Sequence, residues 1–260
     1  MILLSLVTNI YFFEDMEGIK KEIIESLREK IMIMEGFKSG MMEMERPDFG
    51  LQEMAHAFPR GVFPTGAVHE FTSPTAACAT ASNGFISGLL SGLIKHGMFC
   101  LWVSTKRSLF PLALKTYGIE PHQVIFVDVK RDKDVLWVME QGLKCDALAA
   151  VVAELGEVSF AESQRLQLAV EKSHVTGFLH RRRPRRQQAL ACVARWRIRP
   201  VASRVPEGMP GVGHPTWEVE LEKIRNGKPG KWYIEWRRGE FTFLPAAQGI
   251  PAALKREHYA

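Results

Sequence analysis

From residue 67 to residue 180 the chain alternates short apolar runs with stretches whose apolar positions lie three and four apart, polar turns between them. "MFCLWVS" (98–104), "QVIFVDV" (123–129) and "ALAAVVAEL" (147–155) do not alternate polar with apolar residues. Strands of that kind bury both faces, and strands covered on both faces by helices form parallel sheets. Two further strands are predicted at 67–71 ("AVHEF") and 175–180 ("VTGFLH"). Helices are predicted between them over 80–95, 108–118, 132–144 and 159–173. Pro111 stands in a first turn, where its missing N–H does no harm, and Gly118 stands at a helix end. Ser159 with Glu162 three residues on is a capping box. The fold class that follows is α/β with a mainly parallel sheet.

After residue 187 the period changes to two. "ALACVARWRIRPV" and "TWEVELEKIRNGKPGKWYIEWRRGEFTFL" read as strands, with "RNGKPG" and "RRGE" as turns. This part is an antiparallel extension. At the other end, Ile24, Leu27, Ile31 and Met34 form one apolar stripe on a predicted N-terminal helix over 19–35. The expected organisation is a helix and linker over 1–50 and one domain over 51–245. Within that domain the parallel core covers about 62–180 and the extension about 188–245. A weakly patterned tail covers 246–260. "MILLSLVTNIYFF" has no basic flank and is too short to span a bilayer, so neither a signal peptide nor a membrane anchor is expected. Translation could start at Met1 or at Met16.

The four cysteines (Cys78, Cys100, Cys145, Cys192) are isolated, which speaks against a zinc site or a disulfide framework. Neither a G-x-S-x-G nor an H-E-x-x-H pattern occurs, so hydrolase chemistry has no support.

"VHEFTSPTAACATASNGFISGLL" (68–90) is a buried strand, a loop of small residues and an apolar helix. A phosphate-binding loop occupies such a place. It needs glycines so that backbone N–H groups converge, a lysine for the β and γ oxygens, and Ser or Thr for Mg²⁺. Here Thr72, Ser73, Thr75, Cys78 and Thr80 are the available polar residues, Pro74 removes a donor, and Ala77-Cys78-Ala79 stands where G-K-[ST] belongs. The loop is degenerate, and tight ATP binding is not expected.

The net charge of +5 conceals an asymmetry. From Lys172 to Pro206 there are ten positive charges and no acid, so the rest of the chain is net negative. Arg181, Arg182, Arg183, Arg185 and Arg186 crowd the loop "HRRRPRRQQ", while Arg195, Arg197 and Arg199 share one face of a predicted strand. Guanidinium forks suit phosphate, so these eight arginines are the candidate DNA contacts. The alternative is a solvated loop followed by a charged edge strand.

"GVFPTGAVHEF", "CLWVSTKRSLFPLALKTYGIEP", "VIFVDVKRDKDVLWVMEQGLKCDALAAVVAEL", "RLQLAVEKSHVTGF", "ACVARWRI" and "GMPGVGHPTWEVELEKIRNGKPGKWYIEW" together resemble the bacterial ImuA family, over about residues 19 to 245. The resemblance implies a RecA-like core of the P-loop NTPase type. It implies an accessory role in SOS-induced translesion synthesis beside an ImuB-like Y-family polymerase homologue and an error-prone DnaE-type polymerase. RecA and single-stranded DNA are further candidate partners, in the cytoplasm at the nucleoid, with no membrane. The rival readings are a DNA-dependent ATPase with Mg·ATP as cofactor, or a regulator of RecA or of cell division. Within such a core, Glu154 fills the Walker B place, either ordering a Mg²⁺ water or standing as a solvated strand end, and Asp128 reads as a strand end. Lys223 and Arg225 resemble the K-x-R-x-G hairpin that reaches into a neighbouring subunit; the alternative is a plain charged hairpin.

Overall fold

A computed structural model of the chain describes residues 49–94, 98–186, 188–203 and 213–245. The predicted helix over 19–35, most of its linker, and the tail from 246 lie outside the described residues. Two short 3-10 turns (Gln52–Ala57 and Pro59–Gly61) lead into β1 (Val68–Ser73) and α1 (Ala76–Leu93). Then come β2 (Phe99–Ser104), a 3-10 helix (Pro111–Tyr117), β3 (Val124–Asp128), α2 (Asp132–Leu143), β4 (Leu148–Leu155), α3 (Phe160–Ser173) and β5 (Thr176–Arg182). Four more strands follow: β6 (Ala194–Val201), β7 (Thr216–Ile224), β8 (Gly230–Arg237) and β9 (Glu240–Leu244).

These strands form one sheet in the order β3-β2-β4-β5-β1-β6-β7-β8-β9. From β3 through β6 every neighbouring pair is parallel, and from β6 to β9 every pair is antiparallel. The extension is therefore not a separate layer. β6 is parallel to β1 on one side and antiparallel to β7 on the other, so it belongs to both parts of the sheet.

Alternation along each strand sends side chains to two different cores. One face carries Val68, Leu101, Val103, Val151, Ala153 and Leu179 against Val135 and Met139 of α2 and Leu166 and Val170 of α3. The other face is aromatic. Trp196 of β6 stacks on Phe71 of β1, with ring centroids 6.0 Å apart and an 11° interplanar angle. Phe85 of α1 meets Phe241 of β9 at 5.0 Å. This layer runs beneath α1 from the parallel strands into the extension, which binds the two halves of the sheet into one core.

Helix ends follow the sequence signals with two differences. Ser159 and Glu162 form the reciprocal capping box expected of them, and Gly118 takes the left-handed cap position (φ 73°). The segment 111–117 is a 3-10 helix rather than an α-helix. α1 starts at Ala76, four residues ahead of the expected start at residue 80, because the Thr75 hydroxyl caps it by accepting from the Cys78 N–H at 3.2 Å.

Candidate functional site

The chain leaves β1 toward β2, two strands beyond β5, while β6 lies on the other side of β1. Ligands of open α/β sheets bind at such a switch point, beyond the carboxyl ends of the strands. An open cleft of about 560 Å³ lies there, lined by Ser73, Thr75, Ala76, Thr105, Glu154 and Arg182 among others.

The connection from β1 to α1 is only two residues long, Pro74 and Thr75. A phosphate loop has four residues between its glycines alone. Pro74 has no N–H, and the Cys78 N–H is taken by the Thr75 cap. The Ala79 N–H already bonds the Thr75 carbonyl at 3.0 Å. The N–H groups of Ala76 and Ala77 have no intrahelical acceptor at this helix end, and the glycine-rich stretch on which a phosphate-binding nest is built is missing.

The polar residues of this segment are turned to structural use. Thr72 is buried, and its hydroxyl donates to the Trp196 carbonyl at 3.4 Å. The Ser73 hydroxyl bonds both Ser82 Oγ and His180 Nε2 at 2.9 Å. Cys78 is buried in α1, and Thr80 donates back to the Ala76 carbonyl at 3.2 Å. Of the five residues picked from the sequence, Ser73 and Thr75 line the cleft.

Glu154 is neither a solvated strand end nor a free carboxylate: it is 2% exposed. Its Oε1 accepts from Trp102 Nε1 at 3.0 Å and from Asn83 Nδ2 at 3.1 Å. Its Oε2 accepts from Arg182 at 3.0 Å and from Ser108 Oγ at 3.4 Å. A carboxylate has about four lone-pair sites, and here four donors fill them. Burial pushes the Glu154 carboxyl above the usual carboxylate range, while the Arg182 charge pulls the other way. Arg182 also donates to the Lys106 carbonyl at 3.2 Å. The positive partner of the Walker B-like acid is thus an arginine of the same chain. Sequence reading missed Asn83, Trp102, Ser82 and His180, since no motif links residues drawn from three elements. Among the described residues, no group of three or more His, Cys, Asp or Glu is placed to hold a metal ion.

No family model matches the chain. Proteins named Protein ImuA from two strains of Caulobacter vibrioides (NA1000 / CB15N and ATCC 19089 / CIP 103742 / CB 15) are each 34% identical to it over 199 residues, covering 72% of this chain and 82% of the relative. The chain belongs to the ImuA family. Among solved structures, the crystal structure of the RadB recombinase superposes on this ImuA-family chain with a TM-score of 0.51 and 16% identity, covering 75% of this chain and 98% of that one. The fold is RecA-like.

The eight arginines picked from this ImuA-family sequence do not form one surface. Arg181 is wholly buried between Glu70 (2.9 Å) and Glu157 (3.1 Å) and offers nothing to a ligand. Arg195 is held by the other oxygen of Glu70 at 2.7 Å. Arg197 pairs with Glu222 at 2.5 Å, and Arg199 pairs with Glu218 and Glu220. Their acids stand on β7, directly across from β6, in the register Arg197↔Glu220 and Arg199↔Glu218. The signal was in the sequence: "EVELE" alternates its acids at the same period as "RWRIR" alternates its bases, as cross-strand ion pairs require. Arg182 is spent on Glu154. Arg183, Arg185 and Arg186 are exposed and have no ion-pair partner among the described residues.

Asp128 ends β3 and pairs with Arg107 at 2.6 Å. Lys223 is exposed near the end of β7, and Arg225 lies just past it, its N–H bonded to the Val193 carbonyl at 2.8 Å. This hairpin sits at the edge where the parallel strands begin, since Ile224 pairs with Ala194 and Ala194 with His69. It is at the opposite end of the sheet from the chain's own cleft.

Proposed function

We propose that this chain is a non-enzymatic accessory protein in SOS-induced, error-prone lesion bypass. It acts as an adaptor for an ImuB-like Y-family polymerase homologue and an error-prone DnaE-type polymerase, in the cytoplasm at the nucleoid. Membership of the ImuA family supports the setting. The observation that carries the non-enzymatic part is the closed chemistry of the cleft: a two-residue connection in place of a phosphate loop, and Glu154 saturated by Arg182, Trp102, Asn83 and Ser108. Apolar surface supports an adaptor. β3 is an edge strand, and Ile125 on it is 47% exposed, with Phe110 and Leu112 also on the surface. An edge strand with apolar side chains is a surface for protein contact.

Isothermal titration with Mg·ATP, with and without single-stranded DNA, is expected to give no binding heat at millimolar nucleotide. Micromolar binding, or turnover that disappears in Glu154→Gln, would replace the adaptor with a DNA-dependent ATPase. Co-expression with the two polymerase-type partners is expected to give a complex that survives size exclusion; failure of both to co-elute would remove the adaptor role. Among the described residues no helix is long and apolar enough to cross a membrane.

A further inference from the structure

The loops that follow β2, β3 and β5 all open at the cleft edge, because those strands are parallel. They bring together cations that are far apart in sequence. Lys106 follows β2, Lys130 and Lys133 follow β3, and Arg183, Arg185 and Arg186 follow β5. All six are exposed, and none has an ion-pair partner among the described residues. The acids of the same edge are engaged. Asp128 is paired with Arg107, Asp134 with Arg131, and Glu154 with Arg182. Glu157 takes Arg181 and the Arg185 N–H, and Asp132 accepts from the Gly156 N–H at 2.9 Å. The residual charge of this rim is therefore positive, six unpaired cations against Asp132, whose carboxylate has no ion-pair partner among the described residues.

Two details give the rim a direction. Arg183 lines the cleft in the left-handed region (φ 50°), a conformation in which glycine would be less strained. Next to the rim, on α2, Trp137 is 62% exposed and stands one turn after Lys133; both line a groove between α2 and α3. A cationic track beside an open aromatic ring is the pattern that holds an unpaired nucleic acid strand, phosphates on the cations and a base on the ring. β3 and β5 are separated by three strand spacings, about 14 Å, which a few nucleotides bridge.

We infer that the rim formed by Lys106, Lys130, Lys133, Arg183, Arg185 and Arg186 binds the backbone of a single-stranded nucleic acid, with Trp137 stacking a base. The arginines of β6 take no part. This goes beyond the adaptor role and stands or falls separately from it, since it requires neither nucleotide nor polymerase.

The test is fluorescence anisotropy of a labelled 20-mer of thymidine titrated with the full chain across a salt series. Neutralising six phosphates gives a log–log slope of about −4. Lys106→Ala/Lys130→Ala/Lys133→Ala is expected to halve that slope and weaken binding at least about tenfold. Trp137→Ala is expected to weaken it about tenfold, with Trp137→Phe restoring most of the loss. Arg183→Gly suits the left-handed backbone at this position, and it too is expected to weaken binding, with an unchanged urea midpoint as the control for folding. Arg197→Ala/Arg199→Ala is expected to leave affinity within about twofold, because those charges are already neutralised. The inference is overturned by affinity that ignores salt, by indifference to the triple variant, or by equal binding of duplex with no effect at Trp137. Capture of a poly-glutamate peptide but not of the oligonucleotide would also overturn it and assign the rim to an acidic protein.

Discussion

Replacing Glu70 with alanine should lower the unfolding free energy by about 3–5 kcal/mol, the range for breaking a buried ion pair from one side. Glu70 is 1% exposed and supplies both carboxylate oxygens to arginines, one to Arg181 and one to Arg195. Arg181 has no exposed side-chain surface. With Glu70 gone, its guanidinium keeps only the half-exposed Glu157 and the Arg186 carbonyl. Urea unfolding at neutral pH reads the loss directly as a shift in midpoint. Glu157→Ala is the matched control, expected to cost about 1 kcal/mol or less, since its carboxylate is 44% exposed. A Glu70→Ala cost as small as the control's would mean that water reaches Arg181 in the folded state.

Stability should start to fall well above the carboxylate range as the pH is lowered, because two histidines are buried in the neutral form. His69 donates from Nε2 to the Pro64 carbonyl at 2.6 Å and accepts at Nδ1 from Trp196 Nε1 at 3.2 Å. That arrangement fixes its tautomer and leaves no room for a second proton. Burial lowers its pKa from 6.5 to about 4. Burial together with the Arg182 charge lowers that of His180 from 6.5 to about 3. In both cases the unfolded chain binds the proton more readily than the folded one. The stability is fully present above pH 6.5 and is lost progressively as pH falls from there toward the folded values. At pH 4 the loss is about 3 kcal/mol for each histidine, since each tenfold difference in proton affinity between the folded and unfolded chain is worth about 1.4 kcal/mol. Urea midpoints at pH 7, 6, 5 and 4 test this; a flat profile between pH 7 and 5 would contradict it. His69→Gln or His180→Gln should flatten part of the slope even where it also lowers stability at neutral pH.

The elements that could be read ahead of the structure are those set by local chemistry. Continuous apolar runs gave the parallel strands, Ser159 and Glu162 marked a helix start, and Gly118 marked an end. The start of α1 was misplaced because Thr75 caps alone, with Cys78 where a capping box would have Glu or Gln. The two-residue connection after β1 agrees with the missing glycines and lysine, which are a local fact of the sequence. The surroundings of Glu154 were not legible, because Asn83, Trp102 and Arg182 are collected by sheet register across α1, β2 and β5. The partners of the basic segment are hidden for the same reason. An acid-free stretch of chain says nothing about acids on the next strand, and Glu218, Glu220 and Glu222 stand opposite its β6 arginines.

The two-residue step from β1 to α1 also limits what substitution alone can build at this place. Writing Gly-Lys-Thr over Ala77-Cys78-Ala79 would place a lysine on an existing helix, with no stretch of main chain ahead of it to curl around a phosphate. Glu154 would still be occupied by Arg182. A phosphate loop here would need an insertion that lengthens the chain at this point, together with the release of Glu154 from Arg182. No single codon change does both. A phosphate loop of the usual kind is thus two separate changes away from this chain, an insertion and a substitution.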